Sequence, residues 1–311
     1  MEPISAIIRD HSPALGVTRR RLKQVKSICL IREQRANGQQ DLAFNARPFV
    51  LCGLPLRRPP ADQLVHRRRN GKFFLHVVAH PDYGLPFGQD RLIPIWIATL
   101  AVKHQSRTVH FDSATAMLSF FRFPTDGRYY ARMIDGFKRI FAATVFFGTD
   151  GESSARPLFD WARFHFFDNA QLWFNRPDLE LSISSGAWRN TITLSESFYA
   201  EIDAHPIPVE REAVAVLASA PGLLDFYIWL VWKSWNVKTG LVRVPLFGNG
   251  GLTSQLGCGE YSCERFFRRK ISAWLRRVVT IWPQCPARIS KDGRCLLVEP
   301  SRTPPVVRSL C

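Results

Sequence analysis

Two groups of basic side chains have the types and spacing needed to grip a polyanion. In "CERFFRRKISAWLRR" (Cys263–Arg277), six basic and five large apolar residues share fifteen positions. At helical spacing Phe267, Ile271, Trp274, Leu275 and Val278 fall on one stripe. Arg265, Arg269, Ser272 and Arg276 fall on the opposite one, with Arg268 flanking. Arginine suits such a face because its planar fork meets two acceptors of a phosphate or a guanine edge at once. Only Glu264 is acidic here, so the intrahelical ion pairs of an ordinary solvated face are nearly absent. A membrane-surface helix would need the apolar stripe for lipid, but that stripe is required to hold the helix on its own domain. Just downstream, "ARIS" and "RCLLVEP" flank Lys291-Asp292-Gly293, and Asp-Gly favours a two-residue hairpin turn. Arg288, Lys291 and Arg294 on that hairpin could reach phosphate or minor groove.

The second group lies in "RYYARMIDGFKRIFAATVFFG" (Arg128–Gly148), read as one long helix. Tyr130, Met133, Ile134, Phe137, Ile140 and Phe141 form its apolar stripe. Arg128, Arg132 and Arg139 share the outer face with Asp135, and Lys138 flanks. Gly136 costs a helix about 1 kcal/mol relative to Ala, which points to a close backbone approach there.

Catalytic constellations are missing from the pattern. Strand nicking by a Tyr nucleophile needs a metal held by two His flanking one residue, and no His-x-His occurs. His76 and His80, with Asp82 nearby, are four apart in a strand-like stretch, which suits no metal site. No G-x-x-x-x-G-K-[ST] phosphate loop is present, and "GNGG" lacks the lysine. The seven cysteines have irregular spacings unlike a structural zinc site, so reduced thiols are expected. The expectation is a protein that is not an enzyme and holds no cofactor or metal.

The elements that must position these residues follow from composition and punctuation. The net charge of +16 is unevenly placed. Residues 1–72 hold 15 Lys/Arg against 5 Asp/Glu, residues 73–255 hold 16 against 17, and residues 256–311 hold 11 against 4. Basic ends around a neutral middle imply a polyanionic partner, and the first long helix should bind phosphate less than the C-terminal one. No secretory signal is visible, and "LLDFYIWLVWKSW" (Leu223–Trp235) is too short and too charged to span a bilayer. A cytoplasmic protein without a membrane partner is expected.

Residues 1–50 read as a basic N-terminal arm, free to be flexible, with a helix over Thr18–Gln34. "HRRRNG" (His66–Gly71) reads as a linker or loop before the strand "KFFLHVVAH". From Gln89 the order is helix, short strand (Arg107–Phe111), helix, turn, long helix, then a hairpin of Trp161–Phe167 and Ala170–Asn175 about Asp168-Asn169. The second half repeats it: Glu210–Ala220 and Leu223–Trp235, strand Leu241–Pro245, small helix Gly251–Gly257, basic helix, hairpin. Leu194–Glu210 connects the halves. That order predicts an α+β, mainly helical chain of two tandem winged-helix domains with short β-hairpin wings. Their bounds are 51–195 and 196–300, with a tail over 301–311.

With both units in view, the chain resembles plasmid-encoded RepA-type replication initiators of the theta type. The resemblance rests on "YGLPFGQDRLIPIWIATLAVKHQSRTVHF" (Tyr83–Phe111) and "DGRYYARMIDGFKRIFAATVFFG" (Asp126–Gly148). It extends through "FYAEIDAHPIPVE", "DFYIWLVWKSW" and "ERFFRRKISAWLRRVVTIWP", over roughly residues 50–300. It implies a winged-helix initiator that binds direct repeats (iterons) in double-stranded DNA at a plasmid origin and helps open the duplex. It also implies recruitment of the host initiator and helicase, repression of its own promoter, and a homodimer at the operator. The Gly-rich "FGNGGL" and "GCGEYSC" depart from the family pattern. A winged-helix transcriptional repressor without origin function is the alternative.

Overall fold

The computed structural model describes residues 19–113, 115–151, 158–172, 190–248, 250–256 and 263–301. The architecture is mixed α and β. Helix α1 (Arg19–Ala36) leads to strand β1 (Leu42–Ala46), the short helix α2 (Arg47–Leu51) and the hairpin β2 (Val65–Asn70) and β3 (Phe73–Val78). A 3-10 turn (Gly88–Arg91) opens helix α3 (Leu92–His104), followed by β4 (Thr108–Phe111), α4 (Thr115–Phe120) and α5 (Gly127–Ala142). Strands β5 (Thr144–Gly151), β6 (Leu158–His165), β7 (Phe167–Gln171) and β8 (Asn190–Leu194) come next. Then follow α6 (Glu196–Ala204), β9 (Pro206–Glu210), α7 (Arg211–Leu217) and α8 (Pro221–Asn236). The chain continues with β10 (Val242–Pro245), α9 (Leu252–Gln255), α10 (Glu264–Ile281), β11 (Ala287–Ile289) and β12 (Cys295–Val298).

One motif occurs twice. In the run α3-β4-α4-α5-β7-β8 the sheet order is β4-β8-β7; in α8-β10-α9-α10-β11-β12 it is β10-β12-β11. Each time the strand after the first helix pairs antiparallel with the last strand, whose other neighbour is the one before it. The first helix of each run is the buried one. Leu92 through Thr99 of α3 and Phe226 through Val231 of α8 are all buried, which is why both read as apolar nearly all round. Pro94 sits in the first turn of α3, where no intrahelical N–H is lost.

Four expectations are corrected. Residues 19–50, placed in a basic arm, are built into the fold: Ile31, Ala43, Phe44, Phe49 and Val50 are buried, and β1 pairs along its length with β9. "HRRRN" is not a loop but most of β2, because alternation buries His66 while Arg67 and Arg69 point to solvent. The long helix ends at Ala142, not Gly148; "TVFF" is β-branched and aromatic and pairs with both β3 and β6. Finally, Asp168-Asn169 forms no turn. It lies within β7 at an irregularity in the pairing with β8, and β6 pairs with β5 in a different sheet. Phe166 makes the corner between those sheets, buried against Phe49, Phe164 and Phe198, and that apolar corner outweighs the turn preference of Asp-Asn. The expected residues Trp173 to Asn175 of that hairpin, and the tail beyond 301, fall outside the described residues.

Strands β2-β3-β5-β6 form a separate antiparallel sheet, with β5 and β6 inserted between α5 and β7. His66 anchors its edge: Nε2 donates to the Gly53 carbonyl at 3.0 Å. Burial pulls this imidazole from 6.5 down to about 4, the Arg68 charge adding and the Gly53 bond opposing. An unfolded chain binds a proton at His66 near the ordinary value, whereas the folded chain does not until about pH 4. Stability from this group is therefore lost as pH falls through that window, by about 3 kcal/mol in all. Thermal unfolding followed from pH 7 to about pH 4 should show a steeper loss for the wild type than for His66→Gln. Parallel losses would place the titration elsewhere.

Candidate nucleic-acid interface

Helix α10 carries the densest basic surface. Phe267, Ile271, Trp274, Val278 and Ile281 are its buried residues, with Leu275 half-buried. Trp274 packs at 6.0 Å from Phe226 of α8 and over Gly222, where a Cβ would stand 2.6 Å from its ring. That contact requires glycine. The helix end is held by α1: Arg32 Nη2 donates to the Thr280 carbonyl at 2.9 Å and Arg35 Nη1 to the Ile281 carbonyl at 2.6 Å. Two cations on the terminal carbonyls also complement the helix dipole. At the other end Glu264 occupies the first turn and pairs with Arg268 at 3.0 Å.

The opposite stripe faces solvent as the spacing predicted. Arg265, Arg269 and Arg276 are exposed, and an open concavity is lined by Phe266, Arg268, Arg269, Ser272, Ala273 and Arg276. Ser272 is half-buried and donates to the Arg268 carbonyl at 2.8 Å, so its hydroxyl offers chiefly an acceptor. Arg268 is held by Glu264 and lies 5.3 Å over the Phe247 ring, a packing role as much as a charged one. Sequence reading passed over Lys270 and Arg277, both exposed on the stripe's edge, and Arg243 on β10. The first two stand in the same basic string; only the strand pairing brings Arg243 close.

The predicted hairpin forms beside this helix. Ala287–Ile289 pairs with Cys295–Val298, and Gly293 takes a positive φ of 66° at the turn. Asp292 Oδ1 accepts from the Ser290 hydroxyl and the Arg294 amide, which lowers its carboxyl below the usual range. A Cβ at Gly293 would lie 4.0 Å from Arg268 Cδ, so the turn abuts the outward stripe of α10. Lys291 and Arg294 are exposed there; Arg288 is exposed but ion-paired with Glu299.

Helix α5 is more heavily committed to the fold. Asp126 caps it, accepting from Arg128 and Tyr129 amides at 3.1 and 3.0 Å. Met133, Phe137 and Ile140 are buried, Tyr130 and Ile134 half-buried, and Phe141 exposed. Arg128, Arg132 and Lys138 face solvent. Arg139 does not: its Nε and Nη2 bind Asp90 at 2.7 and 3.0 Å, and its guanidinium lies 4.7 Å over Phe87. Its expected outer position is corrected, because a buried carboxylate on the turn preceding α3 claims it. Asp90 also accepts from the Phe87 amide at 2.9 Å. The close approach expected at Gly136 is real, since a Cβ there would meet Asp90 Oδ1 at 2.7 Å.

Among the described residues no three His, Cys, Asp or Glu cluster to hold a metal, and no helix is long and apolar enough to cross a membrane. His76 lies on β3, whereas His80 follows that strand and faces Asp82 and Tyr83.

The mixed α and β fold that positions these basic residues resembles a solved structure. Domains 2 and 3 of RctB superpose with a TM-score of 0.51 at 14% identity, over 79% of this chain and 94% of that one. A second structure of RctB domains 2-3 gives 0.48 at 13% identity, over 78% and 92%. Residues 128–242, from α5 into β10, match the family described as plasmid encoded RepA protein. The resemblance read from the sequence thus holds over that segment. No curated protein matches the chain.

The two arginine environments separate by their effect on stability. Arg139→Ala leaves Asp90 buried without its cation and should cost about 3–5 kcal/mol. Arg269→Ala on the exposed stripe should stay within about 0.5 kcal/mol of wild type. Denaturant unfolding of both variants checks this, and equal losses would contradict the distinction.

Proposed function

We propose that this protein is a plasmid replication initiator. In this reading two tandem winged-helix units bind repeated sites in origin DNA, help open the duplex, and recruit the host initiator and helicase. The same contacts at an operator repress its own promoter, with a homodimer as the operator-bound form. The protein acts without catalysing a reaction, in the bacterial cytoplasm on its plasmid.

The reading is carried by one conjunction. A RepA-family segment over residues 128–242 leads, a short distance along the chain, into a helix whose outward stripe is basic and almost free of acid. The recurring strand order supports assigning both runs as winged helices, with α5 and α10 as the third helices and the β7-β8 and β11-β12 pairs as wings. On α10, Arg265, Arg269 and Arg276 are the base or phosphate contacts, with Lys291 and Arg294 on the wing. Arg128, Arg132 and Lys138 are the corresponding groups of α5. The first unit contributes less, because Arg139 is engaged by Asp90 and Asp135 stands on its exposed side.

Fluorescence anisotropy across a salt series tests the reading, with the repeat array beside the gene and a shuffled duplex of equal length as probes. Repeat-selective binding that persists at physiological salt is expected. Arg269→Ala and Arg276→Ala should each cost about 1–3 kcal/mol if they contact bases, and Arg128→Ala with Arg132→Ala less. Equal, steeply salt-dependent binding to both probes would reduce α10 to a general phosphate grip. Selectivity for an upstream palindrome alone would favour the repressor.

A further inference from the structure

We propose that the outward face of the sheet β2-β3-β5-β6 is a stacking platform for single-stranded nucleic acid. It goes beyond the duplex-binding role assigned to α10 and does not depend on it.

Residues opposite one another across antiparallel strands share a face. The register therefore builds a grid of three rows over four strands. One row reads Arg69, Phe74, Gly148, Trp161; the next Arg67, His76, Phe146, Arg163; the third Val65, Val78, Thr144, His165. The alternate residues Leu75, Val77, Val145, Phe147 and Phe164 are buried beneath the sheet, so the grid is the outer face. On it Arg67, Arg69, Arg163 and His165 are exposed, Phe146 and His76 are half-buried, and Phe74 is buried. Trp161 is 56% exposed. Because Gly148 has no side chain, the indole reaches across β5 onto Phe74, ring centroids 4.9 Å apart at 68°.

An exposed indole braced from below by a second ring, within a field of guanidinium groups, has the chemistry of an unpaired strand's binding site. Bases stack on the aromatic rings and the backbone phosphates meet the arginines. A duplex would gain little here, since its bases are already stacked on one another. An acidic partner would use the cations but leave the aromatic rows idle.

The test uses the full chain and a labelled oligothymidylate of roughly 20 nucleotides, longer than a single site, with an oligouridylate and the repeat duplex alongside. Trp161→Ala should weaken oligothymidylate binding by about fivefold or more, with Trp161→Phe recovering most of it. Arg67→Ala combined with Arg163→Ala should weaken binding and flatten its salt dependence. Both changes should leave duplex binding unaltered, while Arg269→Ala with Arg276→Ala should show the converse. Thermal unfolding verifies that each variant is folded. Wild-type oligonucleotide binding by the sheet variants, or equal losses for Trp161→Ala and Trp161→Phe, would overturn the platform. If the wild type shows no repeat selectivity yet the sheet variants lose single-strand binding, the initiator reading fails and the platform stands. Tighter binding of the thymidylate or of the uridylate identifies the strand it takes.

Discussion

A buried guanidinium holds the two copies of the repeated motif in place. Arg91, at the start of α3, is 5% exposed, and each of its nitrogens has a partner. Nε donates to the Gly88 carbonyl at 2.7 Å, Nη2 to the Leu54 and Pro55 carbonyls at 3.0 and 2.8 Å, and Nη1 pairs with Asp225 in α8. One side chain thus joins the first buried helix, the second buried helix and the segment between α2 and β2. Burial pushes the Asp225 carboxyl up to about 6, against the pull of Arg91. An ion pair so placed gives little net stability relative to apolar packing, but losing either partner strands a charge, so the pair enforces one arrangement. Gly53 belongs to the same junction: a Cβ there would stand 3.1 Å from Asp225 Oδ2.

The same logic separates structural from available charge. Several arginines and a lysine are engaged in the fold. Arg47 binds Glu201 through two nitrogens at 2.9 Å, and Arg35 joins Glu210 while also donating to the end of α10. Arg211 and Lys103 share Asp41, and Arg122 reaches Glu212 and Ser27. The N-terminal helix is therefore a brace for the C-terminal basic helix. On the stripe of α10 and the outer face of the four-stranded sheet, by contrast, arginines are exposed to solvent.

The elements legible in the sequence were those whose signal is local. The apolar runs of α3 and α8, the amphipathic period of α10 and the Asp-Gly turn at Gly293 all appear where their spacing placed them. The buried and exposed stripes of α10 followed from period alone, and with them most of the candidate interface. The failures involve competition between distant segments. "HRRRN" carries a strand's alternation but reads as a basic loop until β3 supplies its hydrogen bonds. The end of α5 is set by the partners waiting for "TVFF" in β3 and β6. Asp168-Asn169 has good turn chemistry, overruled by the burial of Phe166 and Phe167 at a sheet boundary.

By itself the sequence determined the class of elements, the basic stripe and the segment shared with RepA-family proteins, because periodicity and residue type act within a turn or two of chain. Tertiary structure alone decided which charges are available. Arg139 and Arg269 are the same residue on similar helices, yet Asp90, on the turn that opens α3, draws the first inward. Among the described residues no acid pairs with the second. Charge pairing depends on distances that exist only once the chain has folded, so composition can count arginines but cannot say which remain to meet a ligand.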